Sequence, residues 1–173
     1  MGKGIFMTIS FLRCDDRIIH GQVVTRWAME RQCDGLIAVN DKAAKDPLIK
    51  QALKASSDKK TFVWTMEQFL SKMHEAEKSA KNYFVITKEP ETMCKLLVDH
   101  DMQTNVTVLN VGPQSAKEDA FQVGKNCDVT ASDVEAYQKI FDKGYEIEYQ
   151  IVPDATKVKF SAVKDELLAF ANK

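Results

Sequence analysis

Short apolar runs alternate along this chain with stripes of apolar residues at helical spacing. The runs favour β-structure, and each of the first four leads into such a stripe. They occupy residues 8–13, 36–39, 61–64, 83–86 and 106–109. The last four begin 22 to 25 residues apart, which is the length of one strand followed by one helix. This alternation predicts a parallel sheet covered by helices on both faces.

Local signals place several helix ends. The sequences TMEQ at 65–68 and SDVE at 132–135 resemble capping boxes, in which a hydroxyl and a side chain three positions later satisfy free N–H groups. A helix is predicted over 131–143, ending before Gly144, and a terminal helix over 161–170.

The carboxyl-terminal third is less regular. One or two short strands are expected within 121–129 and another within 145–152. The prediction is a single α/β domain over 1–173, with an open, mostly parallel sheet of about six or seven strands and helices on both faces. Residues 1–6 are expected to form a flexible extension.

Composition narrows the class of protein. The chain has 173 residues, 45% hydrophobic, with 24 Lys+Arg against 25 Asp+Glu, so no basic excess points to nucleic acid. The longest apolar run, at 36–39, is far shorter than the roughly 20 residues of a membrane span. The four cysteines include no C-x-x-C pair, so we expect free thiols rather than disulfides or a metal site.

The segment that follows the first strand is rich in chemistry. Arg13, Asp15, Asp16, Arg17 and His20 fall within eight residues, a density that an ordinary connection does not need. Imidazole is a nucleophile near neutral pH, and arginine forks match phosphoryl oxygens. The aspartates would hold the arginines or fix the imidazole tautomer.

The backbone N–H groups of Gly21 and Gln22 would add donors at the start of the next helix. Together these groups suit a phosphoryl group arriving at His20. The alternative is an ordinary loop histidine that is hydrogen-bonded to Asp16.

Two other strand ends carry polar residues. Asn40 and Asp41 follow the second strand and either line the site or, in the case of Asp41, cap the next helix. Asn110 and Gly112 follow the fifth strand and either contact phosphate or form a turn. Ligands of such sheets gather at the carboxyl ends of the strands, so these four residues are candidates for the rim of the site.

The segment RCDDRIIHGQV at 13–23, followed by Trp27, resembles the signature of the IIB component of the mannose/sorbose family of the bacterial sugar phosphotransferase system. Weaker resemblances follow in order at 40–46, 110–112 and 144–153. Pro113 departs from the family pattern, which often has a second glycine there, and it removes a backbone donor.

The resemblance implies that His20 accepts a phosphoryl group, carried on Nδ1, from a phosphohistidine of a IIA protein or domain. The group would then pass to a sugar held by the membrane proteins IIC and IID. The implied catalytic residues are His20, Arg17, Asp15 and Asp16, with Arg13, Gly21 and Gln22 as phosphoryl-binding residues. The implied location is cytoplasmic, peripherally associated with the membrane transporter, and no metal or other cofactor is expected.

Three other classes of protein compete with this interpretation. A non-catalytic receiver-like signalling domain shares the alternating order but needs an aspartate at the end of the third strand, where Trp64 and Thr65 stand. A nucleotide-binding enzyme would need a glycine-rich phosphate loop, which the chain lacks. A metal hydrolase would need carboxylates from further strand ends, and Asp41 is the only clear one.

Overall fold

Seven strands lie side by side in one sheet of the computed structural model, which describes residues 9–173. Residues 9–173 contain nine strands: β1 (Ile9–Cys14), β2 (Gly35–Val39), β3 (Lys60–Trp64), β4 (Tyr83–Thr87), β5 (Val108–Val111), β6 (Phe121–Gln122), β7 (Asp128–Val129), β8 (Glu146–Tyr149) and β9 (Val158–Lys159). The sheet order is β3-β2-β4-β1-β5-β8-β9, and only β9 is antiparallel to its neighbour. β6 and β7 form a separate antiparallel pair. The predicted fold class is confirmed.

The described part also contains seven α-helices, of which the first six lie between strands and the last follows β9. They are α1 (Gly21–Glu30), α2 (Asp41–Lys45), α3 (Pro47–Ala55), α4 (Met66–Lys78), α5 (Pro90–Cys94), α6 (Ala131–Asp142) and α7 (Phe160–Ala171). A π-helical turn, Lys95–Asp99, extends α5. The helices predicted over 131–143 and 161–170 are therefore present within a residue or two of the predicted ends.

The helices divide between the two faces of the sheet and bury two hydrophobic clusters. On one face, Trp27 of α1, Ala43 of α2 and Leu53 of α3 pack on alternate residues of β1 to β4. On the other face, α4 to α7 cover the larger cluster, in which Phe69 and Tyr137 are fully buried. The strands read as continuous apolar runs because both of their faces are buried.

Both predicted capping boxes lie at helix starts, but the residues of one of them need correction. Thr65 and Gln68 form the predicted capping box of α4. The box of α6 is formed by Thr130 and Asp133, not by the predicted 132–135 pair. Ser132 already lies in the first turn of this helix, so its hydroxyl cannot serve as the cap.

The helical apolar stripe predicted after the second strand, which consists of Leu48, Ile49, Ala52 and Leu53, is only partly buried in α3. Leu53 is buried, whereas Leu48 is 79% exposed and Ile49 is 37% exposed. The segment that precedes α3 forms its own short helix, and the chain restarts at Asp46, whose carboxylate caps α3 just before Pro47. The restart leaves the first turn of α3 facing away from the sheet.

The strand register brings the site segments to one edge of the sheet. Cys14, the last residue of β1, is paired with Thr87 of β4 on one side and with Val111 of β5 on the other, and Val111 is paired with Tyr149 of β8. The loops that leave these strands therefore start at the same level. The extension predicted for residues 1–6 lies outside the described residues. In the part that is described, no helix has the length and apolar character needed to cross a bilayer.

Candidate functional site

A buried ion pair lies beneath the loop that follows β1. The guanidinium of Arg13 donates from Nη2 and Nε to Oδ2 of Asp15, at 2.8 and 3.2 Å. Both side chains are almost inaccessible, at 2% and 3% exposure. Burial lowers the pKa of Arg13, while the adjacent Asp15 carboxylate opposes that shift. The ion pair is therefore a fixed internal support of the loop.

Asp15 also shapes the loop directly. Its Oδ1 accepts the backbone N–H of Arg17 at 2.8 Å, and its carbonyl accepts the N–H of Ile18 at 2.8 Å. Ile18 has a φ of 63°, and the Ile19 N–H closes a tight turn on the Arg17 carbonyl at 2.7 Å. A β-branched residue in the left-handed region costs about 1–3 kcal/mol, so the surrounding contacts must hold the turn in place.

The end of β5 holds the other side of Arg13. Nη1 of Arg13 donates to Oδ1 of Asn110, and the Asn110 amide donates to the Gln150 carbonyl at 3.1 Å. A Cβ added to Gly112 would lie 2.1 Å from Nη2 of Arg13, so only glycine allows the chain to pass there. Asn110 and Gly112 thus support the Arg13 guanidinium, and the structure brings these two predicted rim residues together with Arg13 and Asp15.

Gln150 was not singled out in the sequence, although it belongs to this network. Its carbonyl accepts from Asn110, and its amide donates to the carbonyls of Pro153 and Ala155, at 3.0 and 2.9 Å. The sequence offered one signal for Gln150: it is a polar residue near the end of the strand predicted within 145–152. That signal has meaning only once β8 is known to lie beside β5.

His20 lies at the start of α1, between the strained turn and the helix. It is the N-cap residue, with φ −120° and ψ 114°, and its carbonyl accepts the N–H of Val24 at 3.0 Å. The imidazole makes no capping hydrogen bond. Its Nδ1 is buried and has no hydrogen-bond partner among residues 9–173. No aspartate of the described residues therefore contacts this nitrogen, and of the two roles expected for the aspartates, Asp15 is seen holding an arginine.

The groups around His20 present donors. The side chain of Arg17 is exposed, three residues before the histidine. Gly21 and Gln22 form the first turn of α1, where N–H groups have no acceptor within the helix. A Cβ on Gly21 would lie 2.1 Å from the Ser56 carbonyl oxygen, so glycine lets the start of α1 lie against the end of α3.

Asp16 fixes the loop from outside. Its Oδ2 accepts the backbone N–H of Ser115, and its own N–H donates to the Pro113 carbonyl at 3.1 Å. The carboxylate is thus bonded to the loop after β5. It makes no hydrogen bond to His20, as it would if His20 were an ordinary loop histidine held by Asp16. Pro113 removes a donor, as the sequence indicates, but its carbonyl joins the two loops.

Asn40 and Asp41 lie farther away in the sheet order, because β4 separates β2 from β1. The Asn40 side chain accepts the N–H of Ala43 at 2.9 Å, so Asn40 caps α2 in place of Asp41. Asp41 accepts the N–H of Met66, the first residue of α4, at 2.8 Å. Both side chains are engaged in joining β2 to neighbouring helices.

The thiols and carboxylates do not form a metal site in the described region. All four cysteines are free, as predicted, and burial raises the pKa of the Cys14 thiol beside the site to about 12. Within residues 9–173, no three His, Cys, Asp or Glu side chains are grouped so that they could hold a metal ion.

The sequence of this α/β chain matches a known family along almost its whole length. The family described as "PTS system sorbose subfamily IIB component" matches residues 9–171. The chain therefore belongs to this family, and the predicted resemblance is confirmed.

Curated relatives are moderately similar. The mannose-specific EIIAB component of Escherichia coli K12 is 28% identical over 161 residues, covering 92% of this chain and 49% of the relative. The chain thus spans about half the length of that protein. The fructose-specific EIIB component of Bacillus subtilis is 26% identical, over 89% of this chain and 94% of its own length.

Solved structures share the fold. The IIBSor domain of the sorbose permease from Klebsiella pneumoniae superimposes with a TM-score of 0.82 at 22% identity, covering 92% of this chain and 98% of that domain. The N-acetylgalactosamine-specific IIB component 1 from Escherichia coli gives 0.75 at 24% identity, covering 86% and 97%.

Proposed function

We propose that His20 accepts a phosphoryl group and passes it on, as part of sugar uptake. The observation that carries this proposal is the placement of the imidazole at the start of α1, three residues after the exposed Arg17, on a loop that the Asp15 carboxylate holds. Family membership supports a phosphotransfer role.

The hydrogen-bond donors near His20 suit a phosphoryl group during its transfer. The Arg17 fork and the N–H groups of Gly21 and Gln22 would bind the equatorial oxygens, where charge accumulates during transfer. Arg13 and Asp15 are bonded to one another below the loop, so we infer that they act by positioning and do not touch the phosphoryl group. Asp16 would act in the same way, by holding the loop to Ser115.

Two transfers would follow one another. A nitrogen of His20 attacks the phosphorus of a phosphohistidine; the new N–P bond forms as the donor N–P bond breaks. The other ring nitrogen of His20 gives up its proton, and the donor ring takes one up. A sugar hydroxyl then attacks the same phosphorus; the new O–P bond forms as the His20 N–P bond breaks, the hydroxyl loses its proton, and the departing His20 ring takes one up. Neither step needs a metal or another cofactor, because Arg17 and the start of α1 supply the charge stabilisation.

Nδ1 is the phosphoryl-carrying nitrogen that the family resemblance implies. No neighbouring group competes for its lone pair, since it has no hydrogen-bond partner among the described residues. It is buried, however, so we infer that the ring turns about the Cβ–Cγ bond before it accepts the phosphoryl group. The ¹⁵N chemical shifts of the phosphorylated chain distinguish Nδ1 from Nε2 attachment.

The proposed donor is a phosphohistidine of a IIA protein or domain, and the proposed acceptor is a sugar held by membrane components IIC and IID. The name of the mannose-specific relative, EIIAB, joins a IIA part to a IIB part, and this chain matches about half of that protein, which supports a IIA donor. We propose that the chain works in the cytoplasm and associates peripherally with the transporter. The receiver-like alternative is not favoured, because β3 ends at Trp64 without an acceptor aspartate.

The test is phosphorylation with labelled phosphoenolpyruvate, the two general carrier proteins and IIA, followed by peptide mapping of the acid-labile label. We expect label on His20, loss of label in His20→Gln, and full label in His74→Gln and His100→Gln. Label on another histidine or on an aspartate would contradict the assignment. Transfer from the labelled chain to sugar, in vesicles that contain IIC and IID, tests the second step.

A further inference from the structure

Arg31 lies at the opposite end of α1 from His20 and has an unsatisfied donor. Its Nε is buried and has no acceptor among residues 9–173. The guanidinium lies over the ring of Phe11, with its central carbon 5.0 Å from the ring centre. Stacking fixes the plane of the fork but gives its N–H groups no acceptor. A buried guanidinium nitrogen in this position calls for an oxygen ligand.

A polar cavity of about 280 Å³ opens beside Arg31. It lies between α1 and the neighbouring strands β5 and β8, and its charged lining consists of Glu30, Arg31, Glu148 and Lys157. Nζ of Lys157 lies 3.3 Å from Oε1 of Glu148. The Lys157 side chain is 41% exposed, so its ammonium group can reach a ligand as well as Glu148. Two cations and two carboxylates thus face one space.

This lining fits a ligand that has both an oxyanion and hydroxyl groups. An oxyanion would satisfy Arg31 and Lys157, as guanidinium and ammonium groups do with phosphate. Hydroxyl groups would donate to Glu30 and Glu148, and a ring could pack on Trp27. The volume suits a molecule of about the size of a phosphorylated hexose and is close to the lower limit, roughly 300 Å³, of small-molecule sites.

We propose that this cavity binds a sugar phosphate. The general chemistry, an oxyanion with hydroxyl groups, follows from the lining; the choice of a sugar phosphate rests on the proposed function, which yields such a product. The site is separate from the phosphoryl site, because α1 spans ten residues, or about 15 Å, between His20 and Arg31.

The cavity also borders the network that supports the phosphoryl site. Asn110 and Gln150 line it, and both accept hydrogen bonds from Nη1 of Arg13, Asn110 through its side-chain oxygen and Gln150 through its backbone carbonyl. A bound sugar phosphate would therefore contact residues that hold the guanidinium beneath the His20 loop.

The test is titration of the full, unphosphorylated chain with mannose 6-phosphate and, separately, with fructose 1-phosphate. Binding is measured by calorimetry and by ¹H–¹⁵N spectra. We expect at least one of them to bind at least about tenfold more tightly than mannose or inorganic phosphate. The signals of the Trp27 indole and the Arg31 Nε–H should shift. Arg31→Gln and Lys157→Gln should each weaken binding about tenfold. Lys139→Gln, which removes the same charge from α6, should not.

Three results would overturn the proposal: no binding of either sugar phosphate at about 10 mM, unchanged affinity in both folded cavity variants, or shifts confined to residues 17–22. The last result would place the phosphate at the His20 loop instead. Because no phosphoryl donor is present, this measurement does not depend on whether His20 proves to be the acceptor.

Discussion

One oxygen of the Asp15 carboxylate binds the backbone N–H of Arg17 at 2.8 Å, while the other binds the buried guanidinium of Arg13. A single side chain thereby links the interior of the sheet edge to the loop that carries His20. The guanidinium of Arg17 is exposed on this loop. The backbone of Arg17 is held in place because its N–H is bound to Asp15. This link determines which variants should affect stability and which should affect transfer.

Asp15→Asn should lower the free energy of unfolding by about 3–5 kcal/mol, the usual result of removing one partner from a buried ion pair. The amide keeps the size of the side chain but leaves the Arg13 charge without its carboxylate. Urea denaturation should show a lower midpoint with an unchanged slope.

Asp16→Asn is the matched control for this loss. It makes the same chemical change one residue later, at a partly exposed carboxylate that binds only the Ser115 N–H among the described residues. We expect a change of less than about 1 kcal/mol for Asp16→Asn, as for a partly exposed hydrogen bond. Equal midpoints for the two variants would show that the buried pair does not stabilise the fold.

Gly112→Ala should destabilise the chain by about 1–3 kcal/mol or more, as overpacking does. Its Cβ would lie 2.1 Å from Arg13 Nη2 and 3.0 Å from Asp15 Oδ2, and both of these side chains are buried. The melting temperature and the rate of phosphoryl transfer should both fall. Ser115→Ala, in the same loop, keeps the N–H that Asp16 binds and should change neither; a Gly112→Ala chain with an unchanged melt would disprove the close contact.

The architecture could be predicted because each strand and helix has its own local signal. The apolar runs marked β2, β3 and β4 to within a residue, and Thr65 and Gln68 marked the start of α4. The outward turn of Leu48 could not be predicted, since it depends on the helix restarting at Asp46. Strand order was equally hidden, because hydrophobic runs carry no information about which neighbour they pair with.

The sequence named candidate residues for the site but not how they are arranged. The density of charge at 13–20 marked the loop. The family resemblance, however, placed Arg13 among the phosphoryl-binding residues, whereas its guanidinium is buried against Asp15. The role of Gln150 requires β8 to lie beside β5, and the engagement of Asn40 with α2 requires the fold of the next segment. The first fact depends on pairing across the sheet, and the second depends on the helix that follows β2.

Phosphoryl transfer from purified phospho-IIA should proceed unchanged in excess EDTA. The proposed charge stabilisation comes from Arg17 and the N–H groups of α1, which a chelator does not affect. Single-turnover rates with and without the chelator measure this step alone. Loss of the transfer in EDTA, with recovery on adding Mg²⁺ or Mn²⁺, would instead favour the metal-dependent alternative.

Cys33 should be the fastest of the four thiols to react with a disulfide reagent, since it alone is only partly buried. Burial raises its pKa to about 11, so its thiolate fraction, and with it the rate, should rise about tenfold per pH unit up to about pH 10. An ordinary thiol levels off near pH 9. Cys33→Ser should abolish the fast phase; a fast phase that persists would assign the reactivity to a buried cysteine.

Arg17→Lys should slow phosphoryl transfer by about 10- to 1,000-fold, or roughly 1.4 to 4 kcal/mol on the barrier. An ammonium offers a point charge where the planar guanidinium offers two parallel donors. The melting temperature should stay unchanged, because the side chain is exposed and only its backbone N–H is bound to Asp15. Arg26→Lys, on an exposed face of α1, is the matched control and should transfer normally. A normal rate for Arg17→Lys, or a slow rate with a large fall in melting temperature, would remove this arginine from the proposed mechanism.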